Sequence, residues 1–388
     1  MLTSVRFIAA LLLFASGVML PAGPADAGAD DYFPVTPSTD GGRRWRIAYY
    51  QGGDYVDYKD SLLAVVKGLV KIGWIETEPL RVAEGEATEP LWRWLTAASS
   101  KHLEFIGDGF YNAEWDDGRR SEIRTALERR LGAGGDIDLV IAMGTWAGKD
   151  LATDAHSTPT IVVSTSDAVS AQIINSVDDS GRDHVHAHVD PLRYVRQIRL
   201  FHDFAAFERL GVAYEETLEG RSYAAMEQVE QVAAERGFEI VRCHTPGDAA
   251  RQTEADTQVL ACVKYLAANA DALYVTIQKG VNPATLPLLL ETAAAHNVRS
   301  FSQHGTDEVK LGVLLSMSSQ SFTSVGLFQA EVIAKVLNGA TPRRLDQIHE
   351  EPSKVALNMD TARDIGFVPP VYAIAVIDEI FGVIATPY

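Results

Sequence analysis

From Arg46 onward, short apolar runs alternate with stretches in which apolar residues recur every three or four positions. Residues 46–51 (RIAYYQ) predict a first strand. Leu62, Leu63, Val66, Leu69 and Val70 then share one face of a helix that Gly73 stops. Residues 137–144 (IDLVIAMG) and 160–165 (TIVVST) are apolar almost throughout, as strands buried on both faces are. The alternation then restarts. Strands are predicted at 209–214, 238–243, 272–277, 298–302 and 313–317. Between and after them come helices at 221–236, ended by Gly237, and at 255–268, 286–296 and 322–337. Such alternation builds parallel sheets from right-handed βαβ units. Two successive sets, joined by the turn-rich stretch at 176–182, predict an α/β protein of two similar Rossmann-like lobes.

The first residues follow a different grammar. Arg6 is followed by an apolar run over 7–20 and by the small-x-small signature Ala25-Asp26-Ala27. That is a secretory signal peptide over 1–27, and its apolar run is shorter than the ~20 residues a spanning helix needs. No cysteine stands near the cleavage site, so a periplasmic protein without a lipid anchor is expected. Residues 28–42 are polar, rich in Gly and Pro and patternless, and read as a flexible leader. The net charge of −18 disfavours nucleic acid and anionic lipid as partners. The cysteines, Cys243 and Cys262, fall in a strand-like and a helix-like run; two buried free thiols are the preferred reading, one disulfide the alternative.

In an open parallel sheet, ligands bind beyond the carboxyl ends of the strands, so chemistry is sought in the residues that follow each one. These are Gln51 after the first strand, Gly144 and Thr145 after IDLVIAM, and Ser166 and Asp167 after TIVVST. Tyr214 closes RLGVAY, with Arg221 and Ser222 at the next helix start, while Gln278 and Lys279 follow ALYVTI and Gln303 and His304 follow the strand at 298–302. A Gly-Thr pair opening a helix offers backbone N–H groups, a hydroxyl and the positive helix end, which suit an anion. Asp167 reads either as a cap for the following turn or as a ligand contact. Trp92, Trp94, Phe105, Phe110, Tyr111 and Trp115 lie in an irregular stretch that either packs on the first lobe or walls a cleft.

His184, His186 and His188 alternate, but a single strand spreads them over ~13 Å, too far for one ion. A solvated crossover strand is expected there, with no metal. No G-x-S-x-G, H-E-x-x-H, Walker or dinucleotide motif is present, so no cofactor and no enzymatic activity are expected. An enzyme built on Asp167 or a histidine is the reading set against this.

The layout resembles the substrate-binding proteins of ABC transporters, in the group of tryptophan/tyrosine-type receptors with the type I periplasmic binding fold. The resemblance is carried by the order and spacing of IAYYQ, KIGW, DLVIAMGTWAGKDLA, PTIVVSTSDAVSAQI, RLGVAYEETLEGRSYAAMEQV, DALYVTIQKG, KLGVLLSMSSQSFTSVG, AKVLNGATPRRL and LNMDTARDIGFVPP. It implies a receptor that closes on a small organic ligand and presents it to an inner-membrane ABC permease. A sensor that hands its closed form to a signalling kinase is the alternative, and a monomer is expected in either case. It also implies three crossings between lobes, with lobe one at 43–170 and 318–340 and lobe two at 190–316 and 343–388. Gly144, Thr145 and Asp167 match residues that line the first wall in that family. The family's Asn-Ser pair is matched by Arg221 and Ser222, so only the serine is kept, and an acidic or amide pair is replaced by Gln278 and Lys279. Those departures add positive charge to lobe two and point to a ligand with an anionic or extra polar group, seated on Gly144-Thr145 and faced by Lys279 or Arg221.

Overall fold

A computed structural model describes residues 33–77, 87–132, 135–247, 251–319 and 321–382. The expected signal peptide and the start of the expected leader lie outside these residues. One sheet holds five parallel strands in the order β2-β1-β3-β4-β5. They are β1 (Trp45–Gln51), β2 (Leu103–Asn112), β3 (Leu139–Met143), β4 (Thr160–Val163) and β5 (Val185–Ala187). Helices α1 (Val56–Lys71), α2 (Glu89–Ala97), α3 (Asp117–Leu131) and α4 (Gly144–Leu151) run between them. The pleat sorts the side chains of β1, sending Ile47 and Tyr49 into one core and Ala48 and Tyr50 into the other.

The second sheet has seven strands in the order β12-β11-β10-β9-β8-β6-β7. They are β6 (Arg209–Tyr214), β7 (Glu239–His244), β8 (Ala272–Val275), β9 (Arg299–Ser302), β10 (Leu315–Ser319), β11 (Ser353–Asn358) and β12 (Glu379–Phe381). All pairings are parallel except that of β10 with β11. Helices α5 (Arg193–Ala205), α6 (Leu218–Tyr223), α7 (Met226–Arg236), α8 (Gln252–Asn269), α9 (Leu286–Ala295) and α10 (Thr306–Lys310) serve this sheet. The next helix, α11 (Thr323–Leu337), returns to the first one, where Ala330, Ile333 and Leu337 share a core with Leu62 and Leu69 of α1. The chain therefore passes between sheets three times: from β5 to α5, from β10 to α11, and from α11 to β11.

Four local expectations are revised. The helix expected over 221–236 is two, because Ala225 takes a left-handed conformation (φ 51°) between α6 and α7. Cys243 and Cys262 form a disulfide with Cα atoms 5.6 Å apart, where free thiols were the preferred reading. The cause is topological, since α8 leaves β7 and folds back across it. The β5 strand is not solvated. His186 is fully buried and donates from Nε2 to the Asp346 carbonyl at 2.9 Å, while His188 does the same to His349 at 2.9 Å, as the chain after α11 runs along this sheet edge. Residues 33–42, part of the expected flexible leader, are tied to the first sheet's helices: Trp74 Nε1 donates to the Val35 carbonyl (2.8 Å), and the Asn338 amide donates to those of Pro34 (2.7 Å) and Thr36 (3.0 Å).

Candidate functional site

The turns beyond the carboxyl ends of the two sheets face each other and touch. On the first wall, β1 ends in Gln51, fully buried, which accepts from Tyr49 Oη (2.7 Å) and donates to Asp54 Oδ1 (2.8 Å). Gly53 follows because Trp115 lies flat on this backbone: a Cβ there would stand 2.2 Å from the indole nitrogen. Trp115 packs edge-on to Trp146, 5.5 Å between centroids, and the Arg120 guanidinium sits 4.5 Å over Trp146. The aromatic stretch thus divides. Trp92 and Phe105 belong to the core, whereas Trp115 covers the turn after β1.

The turn after β3 needs glycine for two reasons. Gly144 has φ +82°, and a Cβ would meet Tyr58 Oη at 1.9 Å. Thr145 is buried behind it. After β4, half-buried Ser166 leads to Asp167, whose Oδ1 accepts from the backbone N–H of Val169 (3.0 Å) and Ser170 (2.9 Å). Its Oδ2 accepts from Gln228 Nε2 of the opposite lobe at 2.6 Å. The capping reading of Asp167 therefore holds, with Ser170 Oγ also donating to Oδ2 at 2.8 Å, and the same Oδ2 reaches the facing lobe.

On the second wall, Tyr214 Oη donates to Glu216 at 2.5 Å, and burial together with that carboxylate pushes its phenol up to about 12. Arg221 does not stand free in the cleft. Its guanidinium is bound by Glu216 (3.4 Å) and Glu230 (3.0 Å), two acids of its own lobe that offset its charge. Ser222 is buried and donates to the Asp167 carbonyl across the cleft at 3.0 Å. Gln278 donates to the Ala213 carbonyl (2.8 Å) and Gln303 to that of Tyr223 (2.6 Å), so both brace the wall from within. Lys279 is half-buried at the β8 turn, and its carbonyl accepts from Gln252 Nε2 at 3.0 Å.

Three further contacts close the gap. Lys149 Nζ lies 2.5 Å from Glu219, Ser170 Oγ lies 2.7 Å from Glu227, and His304 Nε2 lies 3.5 Å from Asp57. The hydrogen bond to Asp57 outweighs burial and raises His304 to about 9, so the imidazole is cationic at neutral pH. His304 was visible as the residue after Gln303; that Asp57 would meet it from the other lobe was not. Among the described residues no three His, Cys, Asp or Glu side chains converge as metal ligands.

Residues 116–370 match the model of the family described as ABC transporter substrate binding protein. The chain belongs to this family. Solved structures agree on the architecture. A conserved domain protein from Vibrio cholerae is similar with a TM-score of 0.65 and 18% identity, over 87% of this chain and 100% of its own. The ABC domain of Streptococcus pneumonia in complex with L-Trp gives 0.63 and 17%, over 87% and 100%. A ligand-free, open substrate binding protein with adhesive properties from Clostridium difficile gives 0.58 and 18%, over 87% and 99%. At such identities the likeness is one of fold, and the fold is the type I periplasmic binding architecture. No curated protein matches the chain. In this substrate-binding protein the candidate site is the seam between the two sheets, shut by side chains of both.

Proposed function

We propose that this protein is exported with cleavage after Ala27, closes two lobes on a small organic ligand in the periplasm, and delivers it to an ABC permease. The lobes are 43–170 with 318–340 and 190–316 with 343–388, and the three crossings act as the hinge, absorbing closure in a few dihedrals. The observation that carries the reading is Asp167, which caps its own turn through Oδ1 and accepts at Oδ2 both from Ser170 of that turn and from Gln228 of the facing lobe. A ligand ammonium or hydroxyl takes the place of Gln228 at that oxygen. Gly144-Thr145 and Ser222 flank it, and Gln51, Gln278 and Gln303 hold the turns in shape.

The test is a thermal-shift screen of amino acids, aromatic acids and small oxyacids on the exported protein. A ligand at 100 times its dissociation constant adds ~2.7 kcal/mol. The compound that stabilises the wild type is expected to bind Asp167→Ala more than tenfold more weakly. Equal binding to both proteins, or conversion of the compound to product, goes against the reading.

A further inference from the structure

Arg193 opens α5, the first element after the chain crosses from the five-stranded to the seven-stranded sheet. Two features set it apart. Its Nε is buried without a hydrogen-bond partner, which is true of no other arginine nitrogen among the described residues. It also stands at the positive end of a 13-residue helix whose first turn holds no acidic residue. A cation there works against the helix dipole and is disfavoured unless something negative joins it. The nearby carboxylate of Asp190 is held by Arg196 through Oδ2 at 2.6 Å, while its buried Oδ1, like Arg193 Nε, makes no hydrogen bond. Arg193 instead rests over the ring of Tyr194, 5.3 Å away. Tyr194, then the carboxylates of Glu351, Asp57 and Asp190, hold its proton firmly, so its charge is permanent. Asp57 belongs to the opposite wall, beside Tyr55, whose buried phenol is pushed well up by burial first and then by Asp57.

We propose that Arg193 is the anion receiver of the cleft and takes the carboxylate of the ligand through its planar fork. An arginine fork matches a carboxylate in two parallel hydrogen bonds, and desolvation strengthens both. This role, which the charge on lobe two suggests for Arg221, fails there because Glu216 and Glu230 already occupy that guanidinium. The inference rests on the receptor reading of the seam and narrows its ligands to carboxylates.

The experiment uses the full exported chain and a panel of amino acids and small mono- and dicarboxylic acids, each matched with its carboxamide. Thermal midpoints and the fluorescence of the cleft tryptophans are followed for the wild type, Arg193→Gln, Arg193→Lys, and Arg129→Gln on the exposed face of α3. The expected result is that carboxylates stabilise the wild type and Arg129→Gln while their amides do not. Arg193→Gln should then lose at least tenfold in affinity, and Arg193→Lys should keep part of it, since the charge remains and the fork is lost. The proposal is overturned if no carboxylate stabilises the wild type. It is also overturned if the preference for acid over amide survives Arg193→Gln, which would leave Arg193 a water-bridged structural group. Neutral compounds that stabilise both proteins equally would sink the carboxylate assignment and leave the receptor reading standing. Should Arg193→Gln fold poorly, unchanged affinity and selectivity in Arg193→Lys would overturn the proposal equally.

Discussion

His304 and Asp57 reach each other from different sheets, and their pairing decides a protonation state. A histidine held at about 9 in the folded protein, against about 6.5 in the free chain, adds stability that is fully present below the lower value. That contribution is lost as pH rises through about 9, because the closed form must then surrender the proton. Glu308 and Asp307 of α10 add to the effect, and Asp57 is the largest cause. In Asp57→Asn the His304 pKa is expected to fall by more than one unit, read by NMR titration of the ring protons. A value still near 9 would show that the neighbouring acids alone hold the charge. At this scale the sequence was partly legible. Strand-end logic put Asp167, Ser222 and Gln303 at turns that the structure brings to the seam, because a parallel sheet exposes the same end of every strand. Partner choice was not legible: nothing in the spacing of Arg221 and Glu230 says that their side chains meet rather than face a ligand.

Elements were the most readable level. Runs such as LVIAM and TIVV are buried throughout in β3 and β4, and only buried strands tolerate so little polarity. The break at Ala225 had no signal, since the left-handed turn is made by alanine in a stretch whose helical period runs on undisturbed. The link between β7 and α8 was hidden for a related reason: pattern assigns each element but not which helix lies over which strand. The Cys243–Cys262 bridge closes a loop with a sequence separation of 19. A loop of that size is worth ~3 kcal/mol on the chain-entropy account. Replacing both cysteines with serine, or reducing the wild type, is therefore expected to lower the unfolding free energy by ~2–4 kcal/mol. Denaturant titration with and without reductant measures it, and coincident curves would mean that packing of α8 does the work alone.

At the scale of the whole molecule, the contacts named across the seam among the described residues are mostly polar. Lys149 and Glu219 form its shortest ion pair between the sheets, each side chain under a quarter exposed. Reversing one charge in Lys149→Glu places two carboxylates together. The ligand-free variant is expected to show a larger radius of gyration by X-ray scattering than the wild type, and the stabilising ligand should reduce the difference. Identical curves would mean that this pair does not hold the lobes.

The return of α11 to the first sheet has a consequence in time. A chain made from its amino end finishes β1 to β5 early, yet α11, whose Gly326 and Ala330 lie against Ala64 and Gly68 of α1, arrives only after ten of the twelve described strands have been made. Until then the outer face of α1 stays apolar and uncovered. Contacts so distant in sequence form slowly. The half that starts first is thus the half that must wait for its last helix.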